Sequence, residues 1–534
     1  MNSKGSTVNA TDNPEVSTDA GVVRGIRVGD VDLFIEIPYG ADTGDANRFK
    51  PPQPVQPWEG VRDATQWTTR TMQYPDSGLV RTPRQWFSMQ GPNYAPGLSE
   101  DCLLLNIWTP NSSDDVRRPV IVWIHGGGYS VGHAASTMSD GANFATEHDA
   151  VFVSVTHRLN AFGFLFLESL GGEDYRGSGN AGLLDIVAAL KWIQANITQF
   201  GGDPNSVTLV GESGGGGKVS TLLASSIEDG LFHRAVCESG VALRAVRPED
   251  SETYARALIR QLGGEGIETL LQATAQEILD AQLEIERVGG VPRLGPVIDG
   301  QLLTAEPLQI WAAGGGKSIP VIAGTMHDEV TVFGNEDLPL DVEMPAGHPG
   351  ADIGGGTPAF DVDGGQQAIA GLAGRDVDQL YQIARDIHPG VEDKWVTTWL
   401  IGDVLFRYPT EKFAELRALS GKPTWVYQLD WASPRIAPRG APHSSSVSLF
   451  FNNVEKLYFS AGLPEAARVS RAMSSALATF MREGVPRPEI APEWPPYGVD
   501  RREVMVFDDP SYMGSDLDAP IREELDRIEP KQLL

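Results

Sequence analysis

Val207-Thr208-Leu209-Val210, then Gly211-Glu212-Ser213-Gly214-Gly215-Gly216-Gly217, then Lys218-Val219-Ser220-Thr221-Leu222-Leu223-Ala224 read as strand, tight turn and helix in succession. The first run is apolar, and the last can form a helix with an apolar face. Between them, Gly211 to Gly215 fits the G-x-S-x-G pattern, a turn so sharp that its central residue is held in a strained backbone conformation. Flanking glycines have no Cβ to collide there. Such a turn lifts the Ser213 hydroxyl above a sheet edge, at the N-terminus of a helix whose dipole favours developing negative charge. A glycine-rich turn that merely contains a serine would look the same, so the reading depends on the rest of the chain.

Outward from this stretch the same alternation recurs. Residues 119–124, 151–155, 206–210, 234–237, 319–323, 424–429 and 504–507 are short apolar runs of strand character. Residues 183–200 place Leu183, Ile186, Val187, Leu190 and Ile193 at helical spacing, and a long helix is predicted over about 465–482. The pattern predicts an α/β protein with a large, mostly parallel central sheet and helices on both faces. Active sites of such sheets sit at the carboxyl ends of the strands. Residues 22–26 and 31–37 resemble an edge hairpin. Residues 1–17 are polar and expected to be a flexible segment, with 18–534 a single domain. Residues 50–98 form a long loop carrying Trp58, Trp67 and Trp86. Helical and loop insertions near 247–292 and 340–400 are expected to supply a lid and pocket wall.

Composition narrows the classes. With 534 residues, 41% hydrophobic content, 12 Trp and 19 Phe, the chain can bury a large core. A formal charge of -29 argues against nucleic acid and anionic membrane surfaces as partners. Two cysteines, Cys102 and Cys237, make no disulfide framework. No apolar leader or membrane-length run is seen, so a cytoplasmic protein is the expectation. A monomer or weak homo-oligomer is expected.

A serine nucleophile needs a base, a group to orient the base, and donors for an oxyanion. His125-Gly126-Gly127-Gly128 follows a strand directly, and successive glycines let backbone N–H groups turn inward. Gly127, Gly128 and Gly214 are the candidate oxyanion donors. An acid is expected after a later strand, where Asp328 and Glu329 stand together. Three histidines follow: His348, His388 and His443. The first two precede Pro in glycine-containing turns; His443 lies on a loop after strand 424–429, ahead of an apolar run, where a base belongs.

These features together resemble the type B carboxylesterase family, the carboxylesterases and cholinesterases of the α/β-hydrolase fold. Ser99-Glu100-Asp101-Cys102-Leu103-Leu104-Leu105-Asn106 resembles the family's E-D-C-L-x-L-N signature, and Phe200-Gly201-Gly202-Asp203-Pro204 through Gly215 its serine signature. Gly179-Asn180-Ala181-Gly182-Leu183-Leu184-Asp185 and His157-Arg158-Leu159-Asn160-Ala161-Phe162-Gly163-Phe164 are also similar to family segments. The resemblance implies Glu329 as the acid and His443 as the base. It makes Ser239, in Glu238-Ser239-Gly240, a supporting hydrogen-bonding candidate; Glu212 beside the nucleophile is a second.

Three departures from the family stand out. The family often has an acidic residue three positions after the base; here it is Ser446. Secreted members often pair the Cys of E-D-C with an upstream Cys-Pro; here Tyr74-Pro75 stands there, leaving Cys102 without that partner. A choline-binding Trp is replaced by Pro92, although Trp86 and Phe87 are near. The resemblance implies a serine hydrolase cleaving small-molecule carboxylic esters through an acyl-enzyme on Ser213, with no cofactor and no metal. Amide, carbamate and lactone hydrolysis would use the same groups, and a non-catalytic binding module is the remote alternative. The HGGG loop, by resemblance, leaves room for bulky, even tertiary, alcohols.

Overall fold

The structure, a computed structural model, describes residues 13–74, 97–290, 292–332, 377–436 and 440–528. Its framework is a sheet of eleven strands among the described residues. Seven run parallel, in the order Val151–Val155, Arg118–Ile124, Gly202–Glu212, Arg234–Glu238, Val321–Met326, Thr424–Leu429 and Glu503–Phe507. Antiparallel strands close both edges: Leu104–Thr109, Val31–Pro38 and Ile26–Val28 on one side, Tyr512–Ser515 on the other.

The parallel strands read as unbroken apolar runs because both sheet faces are covered. Val120, Val122 and Ile124 point into one core with Val153, Leu209, Ala235 and Ala323. Ile121 and Trp123 alternate into the other, with Phe152, Val210, Val236 and Ile322. Helices Ala181–Asn196 and Gly214–Ala224 bury their apolar faces in the first core, and Pro464–Glu483 in the second.

The edge differs from the expected hairpin. The run 22–26 divides at Gly25: Val22–Arg24 joins a separate small sheet with Glu15–Ser17 and Val61–Asp63, and only Ile26–Val28 pairs with Val31–Pro38. A Cβ at Gly25 would lie 2.6 Å from the Leu33 carbonyl oxygen, so the chain can cross there only as glycine. The pairing of Glu15–Ser17 also corrects the expectation of a flexible segment reaching residue 17. Strands Leu104–Thr109 and Tyr512–Ser515 were not foreseen as strands.

The region 247–292 folds as helices Pro248–Gln261, Ile267–Gln272 and Ala275–Val288, packed on Phe49, Met72 and Phe162. Of the region 340–400, only residues from 377 are described, beginning with helices Asp378–Ile387 and Asp393–Gly402. Pro75, Trp86, Phe87, Pro92 and His348 lie outside the described residues. Among the described residues, no helix is long and apolar enough to cross a membrane.

Candidate active site

Ser213 stands between strand Gly202–Glu212 and helix Gly214–Ala224 with φ 56° and ψ −127°. A serine held there stores about 1–3 kcal/mol of strain, so its surroundings must over-determine it. They do so by close packing. The Ser213 N–H donates to the Glu238 carbonyl at 2.8 Å, and the Ser213 carbonyl accepts from Gly217 N–H at 2.9 Å. A Cβ at Gly240 would overlap the Ser213 carbonyl oxygen.

The glycines after Ser213 each admit a different neighbour. Side chains at Gly214 and Gly215 would overlap the carbonyls of Gly128 and Ile124. At Gly216 a Cβ would lie 2.8 Å from the Glu238 carbonyl oxygen, and at Gly217 2.7 Å from the Tyr129 hydroxyl. The run of glycine therefore seats the helix N-terminus against the sheet edge and the 125–131 loop together.

In that loop Gly127 has φ 91° and Gly128 φ 61°, left-handed values that favour glycine. Gly127 is exposed, Gly128 half-buried and Gly214 buried. Among the described residues, the N–H groups of Gly127, Gly128 and Gly214 have no protein acceptor. The loop is anchored from below: Asn160 N–H donates to the Tyr129 carbonyl at 2.6 Å, and the Asn160 amide donates to Met72 at 2.7 Å. Two signature segments meet nearby in the buried ion pair Arg158–Asp185 at 2.6 Å. Glu100 of another pairs with Arg48 at 2.6 Å.

Glu329 and His443 come together from loops after neighbouring parallel strands. His443 Nδ1 lies 2.5 Å from Glu329 Oε2, and His443 N–H donates to the Glu329 carbonyl at 3.2 Å. The other Glu329 oxygen accepts from Met326 N–H at 2.8 Å, and both side chains are buried. Asp328 binds the two loops to each other. Its N–H donates to the Ala441 carbonyl at 3.0 Å, and its carboxylate accepts from Ala441 N–H and from Trp399 Nε1, each at 2.9 Å. Phe406, in the π-helical turn Asp403–Arg407, packs on the imidazole with ring centroids 4.7 Å apart. His388 is not part of this cluster; it lies half-buried against Trp399.

Glu212 also reaches His443. Its Oε1 is 3.1 Å from His443 Nε2 and accepts from Ser444 Oγ at 2.5 Å. Burial disfavours a charged imidazole, but Glu212 and Glu329 outweigh it and raise the His443 pKa above 6.5. Burial likewise raises the Glu212 pKa, opposed by His443 and Ser444. Ser239, at φ 44°, donates no hydrogen bond from its buried hydroxyl among the described residues. The serines that bond to the buried carboxylates are Ser444 and Ser446, which lack any local signal in the sequence. Lys218 beneath the glycine loop also lacks such a signal, and Asp328, a candidate acid by spacing, instead ties the two loops together.

Among the described residues, no cluster of three or more His, Cys, Asp or Glu could hold a metal ion. Cys102 and Cys237 are buried free thiols, and burial pushes both pKa values up to about 12.

A parallel sheet carrying a strained serine turn, a glycine loop and a buried Glu–His pair at one edge defines an ester hydrolase of the α/β-hydrolase fold. Comparison with known proteins identifies its kin. Residues 12–520 match the model of the carboxylesterase family. Para-nitrobenzyl esterase of Bacillus subtilis (strain 168) is 31% identical over 522 residues, covering 96% of this chain and 98% of its own. Liver carboxylesterase of Sus scrofa is 32% identical over 525 residues, 91% of this chain and 88% of its own. The crystal structure of a Geobacillus stearothermophilus carboxylesterase superposes with a TM-score of 0.80 at 30% identity, over 95% of this chain and 99% of that one. The chain belongs to the carboxylesterase family and is a serine hydrolase of carboxylic esters.

Proposed function

We propose that Ser213, His443 and Glu329 are the catalytic triad and that Gly127, Gly128 and Gly214 bind the oxyanion. The observation that carries this reading is the buried His443 Nδ1 to Glu329 Oε2 contact of 2.5 Å beside the strained Ser213 turn. Glu329 fixes the imidazole with its proton on Nδ1, leaving Nε2 to accept a proton. His443 takes the Ser213 proton as Oγ attacks the ester carbonyl, and the three N–H groups stabilise the oxyanion. The alcohol leaves with the proton from His443. Water then attacks the acyl-enzyme by the same route, releasing the acid and freeing Ser213.

The substrates are small-molecule carboxylic esters. Relatives named as esterases favour esters over the amides, carbamates and lactones that the same groups could attack. As pocket walls we propose the loops of 66–98 and the insertions near 247–292 and 340–400. Two buried thiols without a disulfide support a cytoplasmic location. Ser213→Ala, assayed on short-chain p-nitrophenyl esters, is expected to lose at least a thousandfold in kcat; wild-type turnover would overturn the assignment. Tert-butyl acetate is expected to be cleaved alongside simple acetates, and a panel varying acyl length and alcohol bulk would define the pocket.

A further inference from the structure

Lys218, one turn into the helix after Ser213, is fully buried, and among the described residues no carboxylate forms an ion pair with it. An ammonium in that setting is expensive to keep. Its Nζ donates to the Gly128 carbonyl at 2.7 Å and lies 5.1 Å from the centroid of the Tyr129 ring. The same Gly128 carbonyl occupies the space left by the absent Cβ of Gly214. One oxygen of the glycine loop is thus gripped by Lys218 and by the elbow itself.

We propose that Lys218 is a positioning residue for the oxyanion loop: it holds the Gly128 carbonyl down on the elbow helix, so that the Gly127 and Gly128 N–H groups face the reacting carbonyl, and it places a positive charge behind them. This rests on the reading of Gly127, Gly128 and Gly214 as the oxyanion donors. The charge strengthens as a stabiliser when the substrate carbonyl becomes an oxyanion, because the site is screened from water.

The surroundings support a charge that matters. Glu212 faces Lys218 from the strand end, His125 from the glycine loop, His157 from the loop after Val151–Val155, and Tyr129 covers it. Burial, aided by Lys218, lowers the His125 pKa to about 3, and burial, with His125 and Lys218, holds His157 well below its ordinary value. Burial also lowers Lys218 itself to about 7, against the attraction of Glu212. The ammonium is present below that value and is lost as pH rises through it. Activity that climbs as His443 loses its proton therefore turns down again on the alkaline side.

The experiment measures kcat and KM on a p-nitrophenyl ester, corrected for spontaneous hydrolysis, from about pH 6 to 9. Lys218→Met is expected to lower kcat about tenfold to a hundredfold with little change in KM, and to abolish the alkaline limb. Lys218→Arg, which keeps the charge, is expected to move that limb upward. A folded Lys218→Met with wild-type kcat and profile overturns the inference, as does a lowered kcat with the alkaline limb intact, which leaves only packing. If Lys218→Met does not fold, the wild-type enzyme decides: a kcat/KM that keeps rising through about pH 9 overturns it. An active Ser213→Ala would instead defeat the underlying triad reading; a dead Ser213→Ala with an unaffected Lys218→Met defeats the Lys218 inference alone.

Discussion

Ser446 Oγ donates a 2.6 Å hydrogen bond to Glu238 Oε2 behind the His443 loop. Ser446 stands where the family often has an acid, and it bonds to a carboxyl group delivered by strand Arg234–Glu238, the neighbour of the strand that leads to Ser213. Tyr427 OH donates to the same oxygen at 3.4 Å. Burial raises the Glu238 pKa to about 8; Glu212 adds to the rise, and the Ser446 and Tyr427 bonds oppose it. Burial thus favours the protonated form of Glu238.

That state has a stability consequence. The folded chain keeps the Glu238 proton that the unfolded chain releases near its ordinary 4.5. The stabilisation is complete below the unfolded value and is lost as pH rises towards about 8. Glu238→Gln has no proton to lose. Its melting temperature is expected to fall less than that of the wild type between about pH 5 and 9 and to exceed it by a few degrees at the alkaline end. Parallel melting curves would show that Glu238 does not titrate in this window.

Glu212 is expected to set the acid limb of activity. Glu212→Gln removes a negative charge 3.1 Å from His443 Nε2, which lowers the pKa of the base. The rising limb of kcat/KM should move down by about one pH unit, with kcat reduced about tenfold because the imidazolium of the transition state is less stabilised. An unmoved limb would exclude Glu212 from the titration of His443.

Asp328 is expected to matter although it does not touch the imidazole. Asp328→Asn leaves one acceptor oxygen where the carboxylate serves both Ala441 N–H and Trp399 Nε1. The two loops should lose registration, lowering kcat about tenfold and stability by about 1–3 kcal/mol. Equal kcat and equal midpoints in urea would mean that the backbone pairing to Ala441 is sufficient.

Gly240→Ala pushes a methyl group into the Ser213 carbonyl. Relief requires the elbow or the neighbouring strand end to move, at about 1–3 kcal/mol. Turnover should fall about a hundredfold, since misplacement of the reacting group by about 1 Å is costly. Titration with an organophosphonate would report whether the remaining activity comes from the full population.

The parallel strands were legible because burial on both faces writes them as apolar runs, and the G-x-S-x-G and HGGG stretches because they are local. What escaped was non-local. Each of Gly215, Gly216 and Gly217 answers to a partner from elsewhere: Ile124, Glu238 and Tyr129. Lys218 reads as an ordinary helical lysine until Gly128 is seen above it. Ser239 is a supporting candidate by family likeness and its hydroxyl has no partner among the described residues, whereas Ser444 and Ser446, with no local mark, bond to Glu212 and Glu238. The split at Gly25 follows from the close approach of Leu33, which no periodicity records.

The proposed base draws on distant parts of the chain: 114 positions separate His443 from Glu329, and 232 separate Ser444 from Glu212. With that triad, a chain that has formed its helices without closing these contacts is expected to be chemically silent. Turnover in this protein is thus a gauge of long-range order. It reports that the carboxyl-terminal part of the sheet has docked, which helix content alone does not register.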